Sequence, residues 1–168
     1  MDHIVVRPAQ PGDGGDLARG YLQSCRYYAQ LDPEAFQVPS TVGLTEWIEA
    51  SLQRPRSQDN LWLVAELDGR VVGNVEARLE RPVDDAARQM LRELGQVRVW
   101  VNLLDVDESY RRRGVATRLI QEVEQWGRAN GATLVALDTY IGSPLSVPFY
   151  EKRMGYRRQA VIFRKALR

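Results

Sequence analysis

One stretch of thirty residues, 97–126, constrains the fold more than any other part of the chain. Residues 97–106 are almost continuously apolar, which is typical of a central strand that is covered on both faces. A basic turn that contains glycine follows, and apolar residues then recur at helical spacing. The apolar positions of that helix are Val115, Leu119, Val123 and Trp126. The sequence therefore predicts a buried strand, a tight turn and an amphipathic helix in direct succession.

The turn has the composition of an anion-binding site. Its pattern, Arg111-x-x-Gly114-x-Ala116, places small residues where the helix begins, so unpaired backbone N–H groups can converge on an anion. The helix dipole and three consecutive arginines add positive potential. A diphosphate fits this environment. The alternative is a surface turn whose arginines are only solvated and whose glycine only serves the backbone geometry.

The remaining segments predict a mixture of strands and helices. The Asp68-Gly69 pair predicts a hairpin between two strands. Asp13 is placed to cap the first helix, after a first strand that Pro8 ends. The expected strands are residues 4–7, 61–66, 71–79, 97–106, 133–137 and 160–165, and the further expected helices cover residues 45–53, 84–94 and 144–154.

The scarcity of two residue types excludes several kinds of active site. Cys25 is the only cysteine, so no cysteine-based metal cluster can form, and His3, the only histidine, sits at the terminus. A Ser-His-Asp triad, a Cys-His pair or a multi-histidine metal site would need residues that this chain does not have in useful places. We expect no metal, because no carboxylate cluster has convincing ligand spacing either. Cys25 lies on an apolar helical stripe without a histidine partner, which favours packing over a nucleophilic role.

Length and charge set further limits. The 168 residues fit one domain, and no apolar run is long enough to span a membrane. The start of the chain lacks a secretory signal pattern, so we expect a cytoplasmic location. Residues 1–100 hold 11 Arg and 15 Asp+Glu, a balance of −4, whereas residues 101–168 hold 12 Arg+Lys and 7 Asp+Glu, a balance of +5. The basic part suits an anionic ligand and the acidic part a cationic one, with uneven solvated charge as the alternative. A pI near 7.9 disfavours nucleic acid as a partner.

A second motif makes the pattern specific. The strand already expected at residues 133–137 lies within a mostly apolar segment, 132–138. A helix follows it, which carries Phe149-Tyr150-Glu151-Lys152 and ends near Gly155-Tyr156. This order of strand, Arg-x-x-Gly-x-Ala turn, helix, strand and helix resembles the GNAT superfamily of acyl-CoA-dependent N-acetyltransferases over roughly the whole chain. The resemblance implies an α/β (α+β) fold in a single domain, residues 1–168. Its central sheet would be mixed and mostly antiparallel, with about six to seven strands, splayed between strands 4 and 5 and flanked by helices.

The resemblance also implies where acetyl-CoA would bind and what it would react with. The backbone of Leu104 and Val106 would pair with the pantetheine arm as another strand would. Tyr150 matches the family's general acid, which protonates the leaving thiolate; the alternative is a core aromatic like Phe149. The acceptor would be a primary amine of a small molecule or a protein, attacking directly, and a homodimer is possible by analogy. The pyrophosphate would be held by the backbone amides of Arg111, Arg112, Arg113, Gly114, Val115, Ala116 and Thr117.

Some positions depart from the family pattern. Ser143 occupies the place of an asparagine that contacts the pantetheine arm, and Trp100 falls where some members carry a catalytic glutamate. Glu76, or Asn102 positioning a water, could replace that base; for Glu76 the alternative is a rim carboxylate without catalytic work. The helix expected over residues 84–94 is a further departure.

Two other functions stay open at this point. One is an acyl-CoA-binding module that senses the cofactor without turnover, with Tyr150 inert. The other is a nucleotide-phosphate-binding enzyme, which is disfavoured because no Gly-Lys-Ser/Thr follows the turn and no dinucleotide glycine fingerprint occurs.

Overall fold

A computed structural model describes residues 3–167 of the chain. These residues form two compact units, one that extends to Asp138 and one that begins at Thr139. The first unit contains a single mixed sheet and three α-helices, and the second contains a short helix followed by irregular chain. In the described part of the chain, no helix combines the length and apolar character needed to cross a membrane.

The sheet has five strands in the order β1-β2-β3-β4-β5. All neighbouring pairs are antiparallel except β4 and β5, which are parallel. The expected count of six to seven strands is therefore not met among residues 3–167, whereas the mixed, mostly antiparallel character is confirmed. The strands are β1 Val5–Pro8, β2 Asn60–Leu67, β3 Arg70–Glu80, β4 Arg98–Val106 and β5 Leu134–Leu137.

The hairpin between β2 and β3 forms where the sequence predicts it. Asp68 and Gly69 both have positive φ, 53° and 74°, which is the backbone of a two-residue turn that suits the twist of antiparallel strands. Further along, the register between β3 and β4 shifts between Glu76 and Ala77, so that Asn102 is an extra residue on β4. Such a bulge bends its strand and increases the local twist.

Two layers of helix cover the sheet. α1 (Gly14–Leu31) and α2 (Leu44–Leu52) pack Leu17, Ile48 and Leu52 against Val64. α3 (Val115–Ala129) buries Leu119, Ile120 and Val123 completely. On β3, a methyl group at Gly73 would meet Val115 of α3. The next residue, Asn74, bonds to Asp105, and Asp105 lies against Gly20 of α1. Because successive strand residues face opposite sides, α1 and α3 cover opposite faces of β3.

An ion pair fixes β1 to the start of α1. Both Nη atoms of Arg7 donate to the Asp13 carboxylate, at 2.8 and 2.9 Å, and its Nε donates to Glu66 at 2.9 Å. Burial opposes ionisation of Asp13, but the Arg7 bonds and the Gln10 N–H outweigh it, so the pKa of Asp13 is lowered. Arg7 of β1 thereby bonds both to β2, through Glu66, and to the residue before α1, Asp13.

The segment between β3 and β4 is not the helix that residues 84–94 predict. It forms two short 3₁₀ turns, Ala86–Arg88 and Arg92–Gly95, and Asp85 between β3 and the first turn has a φ of +58°. The physical reason is that the segment buries no residue; Met90 is exposed, for example. Helical composition without an apolar face to pack does not maintain a helix.

The second unit differs from expectation at its end. The helix predicted over residues 144–154 is present as α4 (Ser146–Pro148), which continues into a π-helical turn, Phe149–Arg153. Residues 160–165 are irregular and exposed, so the strand predicted there is wrong. Val161-Ile162-Phe163 has β-forming composition, but a strand also needs a neighbour for its ladder hydrogen bonds, and residues 3–167 provide none.

Candidate active site

The basic turn joins the end of β4 to the start of α3. Arg112 and Gly114 have positive φ, 62° and 89°, and a Cβ at Gly114 would meet no atom within 4 Å. Gly114 occupies the position before the first helical residue, and no side chain caps the helix there. The left-handed backbone, which glycine adopts without strain, therefore leads directly into the first turn of α3.

The amides of this turn are available as donors. Among residues 3–167, no group accepts the N–H of Arg111, Arg112, Gly114 or the first three residues of α3. The first N–H groups of a helix have no intrahelical acceptor and lie at the positive end of its dipole. The turn thus has several converging donors, which is the chemistry that a phosphate group requires.

The arginine side chains of the turn are partly engaged by the protein. The Arg111 guanidinium lies 5.6 Å from the Tyr27 ring centre on α1, and its Nε is 3.4 Å from the Val106 carbonyl oxygen that accepts from it. The Arg113 guanidinium lies 5.2 Å from the Tyr110 ring centre, and Arg112 is exposed. Two of the three guanidinium groups, those of Arg111 and Arg113, therefore lie against side chains of the protein itself.

One edge of β4 is free at the end that leads into the turn. β5 pairs with β4 only from Arg98 to Val101, whereas β3 pairs with β4 along its whole length. Beyond Val101, residues 102–106 have no second strand beside them in the described part of the chain. Leu104 and Val106, the predicted partners of the pantetheine arm, lie in this free segment. The expected splay between strands 4 and 5 stays a prediction.

Polar and aromatic side chains line the sheet face beside this edge. Trp62 Nε1 donates to Asn74 Oδ1 at 3.1 Å, and the Arg56 guanidinium stacks 4.6 Å from the Trp62 ring centre. Glu76 is half-buried on the same face; burial raises the pKa of its carboxyl, and the charge of Arg56 opposes that effect. Glu76 is thus a carboxyl that can accept a proton more readily than an ordinary one.

Asn102, which the sequence also suggested in place of a catalytic glutamate, already forms a hydrogen bond within the protein. The Asn102 side chain accepts a hydrogen bond from Arg78, and the Arg78 guanidinium also lies 5.9 Å from the Trp100 ring centre. Asn102 is the bulged residue of β4 and is exposed. A role in positioning water would have to compete with Arg78.

Sequence reasoning missed Asp105. Its side chain is only 4% exposed at the end of β4, and burial raises its pKa to about 7. The Asn74 side chain hydrogen bonds to it, but Oδ2 has no partner among the described residues. The available signal was a carboxylate inside an otherwise apolar strand. What the sequence did not show is that Gly20 of α1 covers it, since a Cβ at Gly20 would lie 2.7 Å from Oδ1.

Cys25 has the environment of a packed thiol. It is half-buried on α1, and burial raises the pKa of its thiol, with the Asp105 charge adding to the effect while the Tyr21 hydrogen bond opposes it. A raised pKa disfavours the thiolate, which is the nucleophilic form. The structure thus agrees with a packing role.

Tyr150 lies in the second unit, on the π-helical turn. Its ring centre is 5.0 Å from that of Phe149 and 5.7 Å from that of Tyr156, and it is half-buried. Ser143, which stands where the family has an asparagine, is buried, and its hydroxyl accepts the Ser146 N–H at 3.0 Å. Ser143 therefore bonds to the start of α4.

Two comparisons of the sequence with known proteins bear on this arrangement. The sequence model of a protein family, described as "Acetyltransferase (GNAT) family", matches residues 22–156 of this chain. A probable N-acetyltransferase, camello, from Xenopus tropicalis is 30% identical over 105 residues, which are 62% of this chain and 42% of that protein. This chain thus spans less than half the length of that relative.

Crystal structures share the fold. A mutant of the BH1408 protein from Bacillus halodurans has a TM-score of 0.81 at 19% identity, over 97% of this chain and 99% of that one. A Trypanosoma brucei acetyltransferase has a TM-score of 0.63 at 23% identity, over 98% and 100% of the two chains. The aminoglycoside N-acetyltransferase AAC(6')-Iy in complex with CoA has a TM-score of 0.64 at 22% identity, over 99% and 96%. At such identities the likeness shows the fold alone. In residues 3–167, no three His, Cys, Asp or Glu side chains are grouped to hold a metal ion.

Proposed function

Since this chain belongs to the acetyltransferase (GNAT) family, we propose that it transfers an acetyl group from acetyl-CoA to a primary amine of a small molecule or a protein. The observation that carries the proposal is that the free β4 edge runs directly into the donor-rich start of α3. These two features suit two parts of one long ligand, an amide-containing arm and a diphosphate. We propose that residues 1–168 act together as one domain.

In this proposal the turn holds the diphosphate. The backbone N–H groups from Arg111 to Thr117 would donate to its oxygens, with Arg113 and the exposed Arg112 adding positive potential. The support is that six of these seven amides have no acceptor among the described residues. Gly114 keeps the approach open because no side chain projects there.

The free edge of β4 would orient the reactive end of the acyl carrier. Leu104 and Val106 would bond through their backbones to the amides of the pantetheine arm, as a neighbouring strand would. Two or more such bonds fix both position and direction, so the thioester would lie beside the sheet at a defined depth. Much of the rate enhancement would then come from proximity and orientation of the attacking amine.

Tyr150 is the proposed general acid for the leaving thiolate. The support is its place in Phe149-Tyr150-Glu151-Lys152, the motif that resembles the family's. We expect Tyr150→Phe to lower kcat by about 10²-fold while leaving CoA binding nearly unchanged, because a general acid acts on the reacting atoms only. Tyr156→Phe is the matched control, since it removes a hydroxyl from the adjoining ring and should keep kcat. Equal turnover of wild type and Tyr150→Phe would remove Tyr150 from the mechanism.

Two measurements test the proposed function itself. CoA should raise the melting temperature, because a ligand that binds only the folded state stabilises it, whereas ATP and NAD should not. An acetyl-transfer screen over polyamines, aminoglycosides, amino acids and peptide amino termini should then reveal the acceptor. Stabilisation by ATP alone, or CoA binding with no acetylation of any amine, would contradict the proposal. A cytoplasmic location and a homodimer stay predictions.

A further inference from the structure

We infer that Asp105, with Glu76 beside it, binds the amine of the acceptor and that Asp105 accepts its proton. The inference rests on the proposed function, because it assigns a base to that reaction. It starts from a buried carboxyl oxygen for which the described residues provide no partner, in a segment next to the backbone proposed to orient the thioester.

Asp105 lies in the part of β4 that has β3 on one side and a free edge on the other. Asp105 lies between Leu104 and Val106 on β4 and pairs in register with Asn74 of β3. Successive strand residues face opposite sides, so its side chain leaves the same backbone segment whose edge is free. A group held there is therefore close to a thioester bound along that edge.

The carboxyls of Glu76 and Asp105 belong to neighbouring strands. Glu76 pairs with Leu103, two residues before Asp105, so the two carboxyls are diagonal neighbours on one sheet face. Diagonal Cβ atoms lie about 7 to 8 Å apart, within reach of a long side chain. The charge of Glu76 helps to raise the pKa of Asp105, which means that the carboxyls repel each other when both are ionised.

Charges of both signs surround Asp105. Ionisable groups face it from each element packed against it. These groups are Asp16, Arg19 and Cys25 from α1, Glu76 from β3, Asp107 from just after β4, and Arg111 from the turn. Arg19 bonds to Asp16 and Asp107, and the Arg111 guanidinium stacks on Tyr27. Neither cation forms an ion pair with Asp105, so the carboxyl lacks a direct positive partner.

An alkylammonium group has the charge and the donors that Asp105 Oδ2 lacks, whereas the Arg56 charge already acts on Glu76. It carries one positive charge and three N–H donors, enough for both Asp105 Oδ2 and the Glu76 carboxylate. Because Glu76 is only half-buried, it is the outer member of the pair, and we assign it to attracting the cation and Asp105 to taking the proton.

The proposed step balances in atoms and charge. The ammonium gives one proton to Asp105 Oδ2, and the freed lone pair forms the C–N bond at the thioester carbonyl carbon. When the C–S bond breaks, its electron pair leaves with sulfur, which takes a proton from a general acid, Tyr150 being the candidate. The nitrogen's next proton restores that acid, and Asp105 releases its proton to solvent. The net products are an amide, a thiol and one proton.

The test is the pH dependence of kcat/KM for wild type, Asp105→Asn and Glu76→Gln, with an amine identified in the screen. The wild type should lose activity below about pH 7, as Asp105 becomes protonated. Asp105→Asn should lower kcat by about 10²-fold or more and abolish that acidic limb. Glu76→Gln should mainly raise KM for the amine and keep the limb, shifted to lower pH because a neighbouring negative charge is gone.

Each outcome decides between explanations. If Asp105→Asn binds CoA and keeps the acidic limb, Asp105 is only structural and the inference fails. If Glu76→Gln abolishes the limb instead, Glu76 is the base and the inference also fails. A second measurement needs no turnover. The ¹³C carboxyl resonance of Asp105, identified because Asp105→Asn removes it, should titrate with a midpoint near pH 7. Added putrescine should move that midpoint to lower pH. A titration midpoint that putrescine does not change would overturn the inference. A wild type that acetylates no amine would instead contradict the proposed function.

Discussion

At the scale of single residues, two positions carry unusual constraints, and both follow from what surrounds the backbone. Gly114 has a left-handed backbone with open space around it, so its constraint is conformational. Asp105 has ordinary strand geometry, so its constraint is electrostatic. The two kinds of constraint predict different behaviour on substitution.

Gly114→Ala should destabilise the protein by about 1 to 2 kcal/mol, because an L residue is strained at this φ. It should also weaken CoA binding, since the strain acts on the proposed donor amides. Gly131→Ala is the matched control: Gly131 follows the other end of α3 with a φ of +78° and equally open space. Urea denaturation and calorimetric titration with CoA measure the two effects. Equal losses of CoA affinity in both variants would argue against the turn as the binding site.

Asp105 should make folding stability depend on pH. Its pKa is raised from 3.8 to about 7, so the folded state favours the protonated form. The corresponding stabilisation is fully present below about pH 4 and is lost as the pH rises through about 7. We expect Asp105→Asn to flatten this dependence by up to a few kcal/mol between about pH 5 and about pH 8. Urea denaturation at both pH values is the measurement, and identical slopes in both proteins would contradict a buried, titrating Asp105.

At the scale of elements, the first unit depends on polar links as well as on its apolar core. The bidentate Arg7–Asp13 pair joins β1 to the start of α1. The carboxylate of Glu49, on α2, accepts hydrogen bonds from the backbone N–H groups of Gly12 and Gly14. Buried polar groups need such partners, so the start of α1 is fixed from two directions.

Arg7→Ala should cost about 2 to 3 kcal/mol, because it leaves the buried Asp13 carboxylate without its main partner. Arg88→Ala is the control. Its ion pair with Asp85 lies on side chains that are 82% and 67% exposed, so its removal should change stability by less than about 0.5 kcal/mol. Urea denaturation near neutral pH compares the two. A comparable loss in both variants would contradict the difference in burial.

The elements that the sequence predicted well are those with a local physical signal. The apolar run predicted β4, the Asp68-Gly69 pair predicted the hairpin, and Gly114 predicted the start of α3. The segment at 84–94 and the strand at 160–165 failed because each had the composition of its element without a surface or partner to complete it. The environment of Asp105 could not be predicted, because it depends on where α1 crosses the sheet.

At the scale of the whole molecule, charge is divided along the sequence. Residues 1–100 carry a balance of −4 and residues 101–168 one of +5. The basic turn belongs to the positive part, whereas Glu76, one of the two carboxyls proposed to bind the amine, belongs to the negative part. The anionic CoA and the cationic amine would therefore each be attracted by the part of opposite charge.

This division predicts a strong effect of salt on CoA binding. Because the proposed contacts are made to phosphate groups, the Kd for CoA should rise markedly from low to high ionic strength. Pantetheine, which lacks the phosphates, should bind more weakly and with little salt dependence. Calorimetric titration of both ligands measures the difference. Equal salt dependence would show that the phosphates are not what the turn recognises.

The short length of β5 makes the binding event visible without any ligand label. Where β4 runs on alone, its outward amide hydrogens lack the protection that a flanking strand gives, so they should exchange with deuterated solvent far faster than those in the paired half. An occupant that pairs there would slow this exchange selectively over residues 102–106. Mass-spectrometric mapping of deuterium uptake could therefore report occupancy of the strand edge peptide by peptide.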